Sequence, residues 1–156
     1  MADNVVSHII FEIGQIDQLL TVYADLVERV QQRPPDLVEI AALASVLHSF
    51  YNGLENIFLS IAKGLDPQVS TGAQWHRDLL VHMTQETAHR GAVISAELAQ
   101  KLATYLGFRH FYRHSYSFFL EWDKLQELVT SLRAIWAQTK EELHEFLDTF
   151  STEDER

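Results

Sequence analysis

Residues 27–43 read VERVQQRPPDLVEIAAL. On both sides of RPPD, residues 33–36, apolar residues recur at three- and four-residue spacing, the period of an amphipathic helix. The two prolines separate the runs, because each disfavours helical geometry in the residue before it. Upstream, Val6, Ile9, Ile13, Ile16, Leu20, Tyr23, Val27 and Val30 form one stripe and predict a helix over about residues 4–32. Downstream, Asp36 can cap a second helix whose face is Ile40, Leu43, Leu47, Phe50, Leu54, Ile57 and Ile61. Two long helices with a short link make an antiparallel hairpin.

The same period runs through the rest of the chain. KGLDPQVSTGAQ, residues 63–74, has the glycines, proline and small polar residues of a surface loop. A short helix over about 75–88 follows and is broken at Gly91. Ser95, with Leu98, Leu102 and Leu106, opens another helix, and Leu125, Leu128, Leu132, Ile135, Trp136, Leu143, Phe146, Leu147 and Phe150 define a last one over about 121–150. STEDER, residues 151–156, reads as a flexible acidic tail. The expectation is an all-α antiparallel bundle of four long helices and one short one, a single domain over residues 1–150.

With 156 residues and 47% hydrophobic content the chain can build one sizeable core. It has no cysteine, which excludes disulfides and thiolate metal sites. The N-terminus MADNVVSHIIFEIGQIDQ lacks the basic segment and apolar run of a leader, and no stretch reaches the roughly 18 uncharged residues of a membrane span. A cytoplasmic protein without a membrane partner is expected. The net charge of −10 is unevenly spread. Residues 1–62 carry eight acids and two bases, residues 63–124 six acids and seven bases, and residues 125–156 eight acids and three bases, giving −6, +1 and −5. A broad basic face for nucleic acid is thereby excluded, and a polyanion can be met only at a local site.

RHFYRHSY, residues 109–116, is the place where such a site can form. On a helix that continues through Gly107, Arg113 falls about 40° round from Arg109, His110 about 100° and His114 about 140°. Leu102 lies at about 20° and Leu106 at about 60° on the same scale, so the leucine stripe runs into the cluster, while Phe108 and Phe111 fall on the opposite side. That placement predicts a cleft or a subunit interface. Arginines beside histidines call for an anion, and phosphate suits the planar guanidinium fork. Cleaving an RNA phosphodiester needs a base for the 2′-hydroxyl, a cation for charge building on phosphorus and an acid for the leaving oxygen, and this cluster holds those types without a metal. Tyrosine adds a surface on which a base can stack. Cation–π packing and cations at the negative end of a helix dipole would use the same residues.

Arg109, four residues, His114, one residue, Tyr116 resembles the Arg-x4-His-x-Tyr motif of HEPN-domain ribonuclease toxins of the HepT type, and the whole chain is similar to that family's helical domain. The resemblance implies a HEPN-like bundle and a metal-independent endoribonuclease toxin of a type VII toxin–antitoxin system. The toxin would act as a homodimer with two motifs facing one cleft. It implies RNA as substrate and, as antitoxin, a nucleotidyltransferase of the MNT type that transfers AMP to the motif tyrosine. Carried over residue by residue, Arg109 would stabilise the phosphorane, His114 would transfer protons and Tyr116 would be adenylylated, with no cofactor. His110, Arg113 and Glu55 are accessory candidates. Arg113 is a second cation inside the motif. Glu55 sits in the apolar turn LENIF and either meets the arginine cluster or lies at a solvated rim. The alternative is a non-catalytic helical partner that presents substrate or nucleotide to a nucleotidyltransferase.

Other constellations are less specific. Glu86 with His89 and Glu141 with His144 have the Glu-x-x-His spacing of di-iron bundles. Glu141, however, lies about 200° from Leu143 on the last helix and points outward. His82 with Glu86 and His8 with Glu12 are ordinary i, i+4 pairs. Trp75, Trp122 and Trp136 read as core or interface residues.

Overall fold

The computed structural model describes residues 2–66, 71–114, 116 and 120–154. Its elements are α1 (Ala2–Val22), α2 (Ala24–Gln32), α3 (Leu37–Leu65), α4 (Trp75–His82), α5 (Ala96–Arg113) and α6 (Trp122–Asp154). No strand occurs among the described residues, and the all-α bundle expected from periodicity is what forms.

The first helix differs from expectation in one respect: it is interrupted at Tyr23, whose φ of −100° and ψ of 10° leave the helical region. Thr21 turns its hydroxyl back onto the Asp17 carbonyl at 2.8 Å, a bond that competes with regular helix geometry. The path nevertheless stays nearly continuous, because Tyr23 N donates to Leu19 O and Val27 N to Tyr23 O. Asp36 caps α3 as the sequence predicts. Glu39 N donates to its carboxylate at 2.8 Å, and Glu39 returns the bond to Asp36 N at 3.1 Å.

α3 is the central element, with Leu43, Leu47, Phe50, Leu54, Ile57 and Ile61 all buried. α1 comes close to it at Gly53, where an added Cβ would stand 2.8 Å from Ile16 Cγ1, and again where Gly64 meets Val5. Phe50 sits edge-on between Tyr105 of α5, at 5.5 Å, and Trp136 of α6, at 6.1 Å, so one aromatic cluster joins three helices. The polar ends of that cluster are satisfied. Tyr105 OH donates to Leu128 O and Trp136 Nε1 to Asp17 Oδ1, each at 2.7 Å. Burial works against the Asp17 carboxylate, but the bonds from Trp136 and Lys140 and the Lys140 charge outweigh it and hold its pKa below the usual value.

Three boundaries move. α3 continues to Leu65, so the loop begins at Asp66, and residues 67–70 of the expected 63–74 loop lie outside those described. α4 ends at His82 rather than near residue 88. The following segment folds as a turn around Arg90, which rules out helical i, i+3 geometry for Glu86 and His89. α6 runs past residue 150 to Asp154, through most of the expected tail, and Glu155 and Arg156 lie outside the described residues. Two helical stretches, Asp3–Val22 and Leu37–Leu65, are long and apolar enough to cross a membrane by length and composition, although neither holds 18 uncharged residues in succession. In α3 that apolar character is the core face of the bundle.

The turn after α4 is organised by a buried ion pair. Arg90 Nε and Nη2 donate to the two Asp66 oxygens at 2.8 and 3.0 Å, and Nη1 donates to the carbonyls of Gln85 and Gly91. His82 Nε2 meets Asp66 Oδ2 at 2.8 Å, so His82 pairs across the fold and not with Glu86. Both side chains of the Asp66–Arg90 pair are completely buried. Asp66→Asn, which keeps the shape and strands the Arg90 charge, should therefore lower stability in urea denaturation by about 3–5 kcal/mol. Removing the exposed Lys101–Glu97 pair should change it by under about 1 kcal/mol.

Candidate functional site

α5 starts on an N-cap, Leu98 N donating to Ser95 Oγ at 3.1 Å, and is tied to α6 by Ser95 N donating to Glu142 Oε1 at 2.6 Å. From there it runs unbroken through Gly107 to Arg113, as the angular reading required. Its buried residues are Leu98, Leu102, Tyr105, Phe108 and Arg109. The buried face is thus centred nearer Tyr105 than Leu106, because α5 packs on both α3 and α6. That rotation brings Phe108 inside, where the sequence placed it opposite the cluster. It also admits only one of the four cationic and imidazole side chains to the interior: His110, Arg113 and His114 are exposed.

Arg109 is 6% exposed and Glu55, one residue below the middle of α3's apolar run, is 5% exposed. Arg109 Nη1 donates to Glu55 Oε1 at 2.7 Å, so of the two readings of Glu55 the contact with the arginine is the one that forms. The other carboxylate oxygen meets His76 Nδ1 on α4, also at 2.7 Å, and the His76 ring lies against Trp75 at 3.6 Å. The guanidinium carbon stands 5.9 Å from the Tyr51 ring centre. Burial, and then the Glu55 charge, push the Tyr51 hydroxyl well above its ordinary pKa against the opposing pull of Arg109, so it stays protonated. Arg109 Nε is fully buried and has no acceptor among the described residues.

On the outer side of the same helix end, the His110 and His114 rings approach edge-to-face at 4.7 Å. His114 is the residue at which α5 stops, with φ −112° and ψ 8°, and Tyr116 lies beyond the end, 73% exposed. The site therefore has a buried part, Arg109 with Glu55, and an exposed part, His110, Arg113, His114 and Tyr116. No group of three or more histidine or carboxylate side chains arranged to hold a metal occurs among the described residues.

Two residues join the site that the motif did not indicate. His76 lies 21 positions from Glu55 across a loop, and no local pattern pointed to it. His48 did leave a signal: with Asn52 and Glu55 it makes an i, i+4, i+7 polar line on an otherwise apolar helix. Its ring packs on Tyr112 at 5.1 Å and its Nδ1 lies 3.4 Å from Asn52 Nδ2. The Tyr112 ring stacks in turn on Phe108 at 6.0 Å. His48 thus stands behind the arginines, on the wall opposite α5.

Residues 42–150 match the model of a family described as HepT-like protein. The chain belongs to the HepT-like family. No curated protein and no solved structure matches it. The HepT-like match takes in all of α4 and α5, most of α3 and α6, and every candidate site residue from Glu55 to Tyr116. α1 and α2, the start of α3 and the end of α6 lie outside the matched region of this HepT-like chain.

His48 carries the clearest electrostatic signature of this HepT-like site. Burial, followed by the charges of Arg109 and Arg113, lowers its pKa below the model-peptide value of 6.5. A histidine with a depressed folded pKa binds fewer protons than in the unfolded chain, so its contribution to stability is complete above the unfolded pKa. That contribution is lost as pH falls through the folded one. An NMR titration of His48 should show a midpoint below 6.5, and Arg113→Ala should move it upward. A midpoint that Arg113→Ala leaves in place would remove the arginine from the cause.

Proposed function

We propose that this HepT-like protein is the ribonuclease toxin of a toxin–antitoxin pair, cutting RNA without a metal at a cleft formed by two copies of the α5 end. The observation that carries the reading is the exposed His110–His114 pair beside Arg113, on a turn that lies inside the family match and spells the Arg-x4-His-x-Tyr motif. In the reaction the RNA 2′-hydroxyl loses its proton to an imidazole and attacks phosphorus. The bond to the 5′-oxygen then breaks as that oxygen receives a proton from a second imidazole. One His114 is poorly placed to be base and acid at once on the two sides of the phosphorus, whereas two related by a two-fold axis can divide the roles. Arg113 supplies an exposed cation for the charge that builds on the phosphoryl oxygens. Arg109, paired with Glu55 behind it, fixes the turn that presents both histidines.

Tyr116 fits the role of off-switch. It is exposed just past the catalytic turn, open to a nucleotidyltransferase acting in the cytoplasm as antitoxin. Attack of its hydroxyl on the α-phosphorus of ATP, with loss of the phenolic proton and departure of pyrophosphate, would leave an AMP phosphodiester beside Arg113 and in the RNA path.

The second reading, a non-catalytic partner that presents nucleotide to a transferase, is favoured by one observation: the motif arginine is already neutralised within the fold. The two readings part on cleavage. His114→Ala should lower the rate on labelled RNA by at least about 100-fold and abolish growth arrest on expression; toxicity undiminished in that variant refutes the nuclease. Co-expression with a nucleotidyltransferase of the MNT type should add the mass of AMP to the peptide bearing Tyr116, and labelling that survives Tyr116→Phe rules the tyrosine out.

A further inference from the structure

A groove of about 810 Å³ lies between α5 and α6 on the side of the motif helix away from Glu55. Its volume is that of a site for a small molecule or a single nucleotide rather than for a protein segment. Tyr105 and Phe108 line it from α5, Leu128 and Ile135 from α6, and Thr104 and Ser131 give it hydroxyls. At one end stands Phe111, an aromatic ring 39% exposed in the middle of the Arg-x4-His stretch.

The groove's charges are unequal in availability. Lys101 is held by Glu97 at 3.2 Å and by Gln138 at 3.0 Å. Glu127 acts on Tyr105, nearly two turns away from Phe111 along α5. Lys124 has only a loose, exposed contact with Glu121 at 3.9 Å, and its ammonium rests over the Phe111 ring at 5.9 Å. A cation therefore occupies the face of the groove's exposed Phe111 ring, in a position a flat aromatic ligand can take over while the lysine moves to a phosphate.

We propose that this groove is a nucleobase subsite for single-stranded RNA, the base stacking on Phe111 and the displaced Lys124 pairing with a backbone phosphate. The proposal rests on the ribonuclease reading and extends it. Phe111 lies in the last turn of α5 and His114 caps it, with His114 N donating to Phe111 O at 3.1 Å, so the two stand at the same helix end. A base on Phe111 thus places the adjoining phosphodiester at His114, and the groove holds the strand by its base. Stacking accepts any base, so the subsite selects unpaired RNA more than sequence.

The test uses the full-length His114→Ala protein, in which RNA stays intact, and fluorescein-labelled single-stranded hexaribonucleotides read by fluorescence anisotropy. Phe111→Ala should weaken binding by about 5- to 100-fold and Phe111→Trp should restore it. Lys124→Ala should reduce the salt dependence by about one phosphate contact. Unchanged binding in Phe111→Ala overturns the subsite. So does weakened binding accompanied by a shift from dimer to monomer in sedimentation, since the groove would then hold a second copy. Cleavage by protein with His114 intact is scored separately. Phe111-dependent binding without cleavage defeats the nuclease and leaves the subsite standing, whereas cleavage with Phe111-independent binding defeats the subsite alone.

Discussion

The contact between Arg109 and Glu55 constrains more of this molecule than any other single interaction. Both side chains are more than nine-tenths buried, where an unpaired charge is strongly disfavoured, so α3 and α5 can pack only in the register that brings Nη1 to Oε1. His76 takes the second carboxylate oxygen and adds α4 to the same arrangement. Once α5 is fixed in this way, its rotation is fixed too. His110 and His114, about 100° and about 140° further round, must face outward, and Phe108 must face in. The buried pair thus decides which members of the cationic cluster can meet a ligand. Replacing both charges with apolar groups is physically tolerable, but removing one alone is not, because the other is left without a partner in a site water does not reach.

The helical periodicity was strong enough to show the bundle, the hairpin and the Asp36 cap in the sequence, because each is set by residues within a few positions of one another. What escaped were features decided by tertiary contact. The break at Tyr23 falls on an apolar residue of the continuous stripe, with only the Thr21 back-bond to Asp17 beside it, and no local residue pattern marks it. The early end of α4 follows from Arg90, whose partner Asp66 is 24 residues away. The rotation of α5 was misjudged towards Leu106 because a leucine stripe marks an apolar face without showing how many neighbours it packs against. Tyr105, with its hydroxyl on the α6 backbone, widened that face and brought Phe108 in with it.

The site was legible unevenly for the same reason. The motif at 109–116 is local and stood out by composition, and the line His48, Asn52, Glu55 was readable as polar positions at helical spacing on an apolar helix. Reading Glu55 as a solvated rim residue and reading it as a partner for arginine differ only in what lies opposite. That is a question about α5, 54 residues away. His76 was beyond any pattern argument, since it reaches Glu55 from across a loop.

The surplus of bases in the middle of the chain takes on a different meaning once their positions are known. Arg90 and Arg109 are two of its seven, and both are spent inside the protein on Asp66 and Glu55. The exposed positive charge near the motif is accordingly smaller than the count suggests, and it stands in a molecule of net charge −10. At physiological ionic strength charges act over about 8 Å, so the acidic outer helices contribute little at the end of α5. A phosphate is held there only when it touches Arg113 and the histidines directly. Such a site gains little from long-range steering, so under the ribonuclease proposal affinity for RNA would have to come from contacts made by the strand itself, aromatic surface beside the histidines as well as charge.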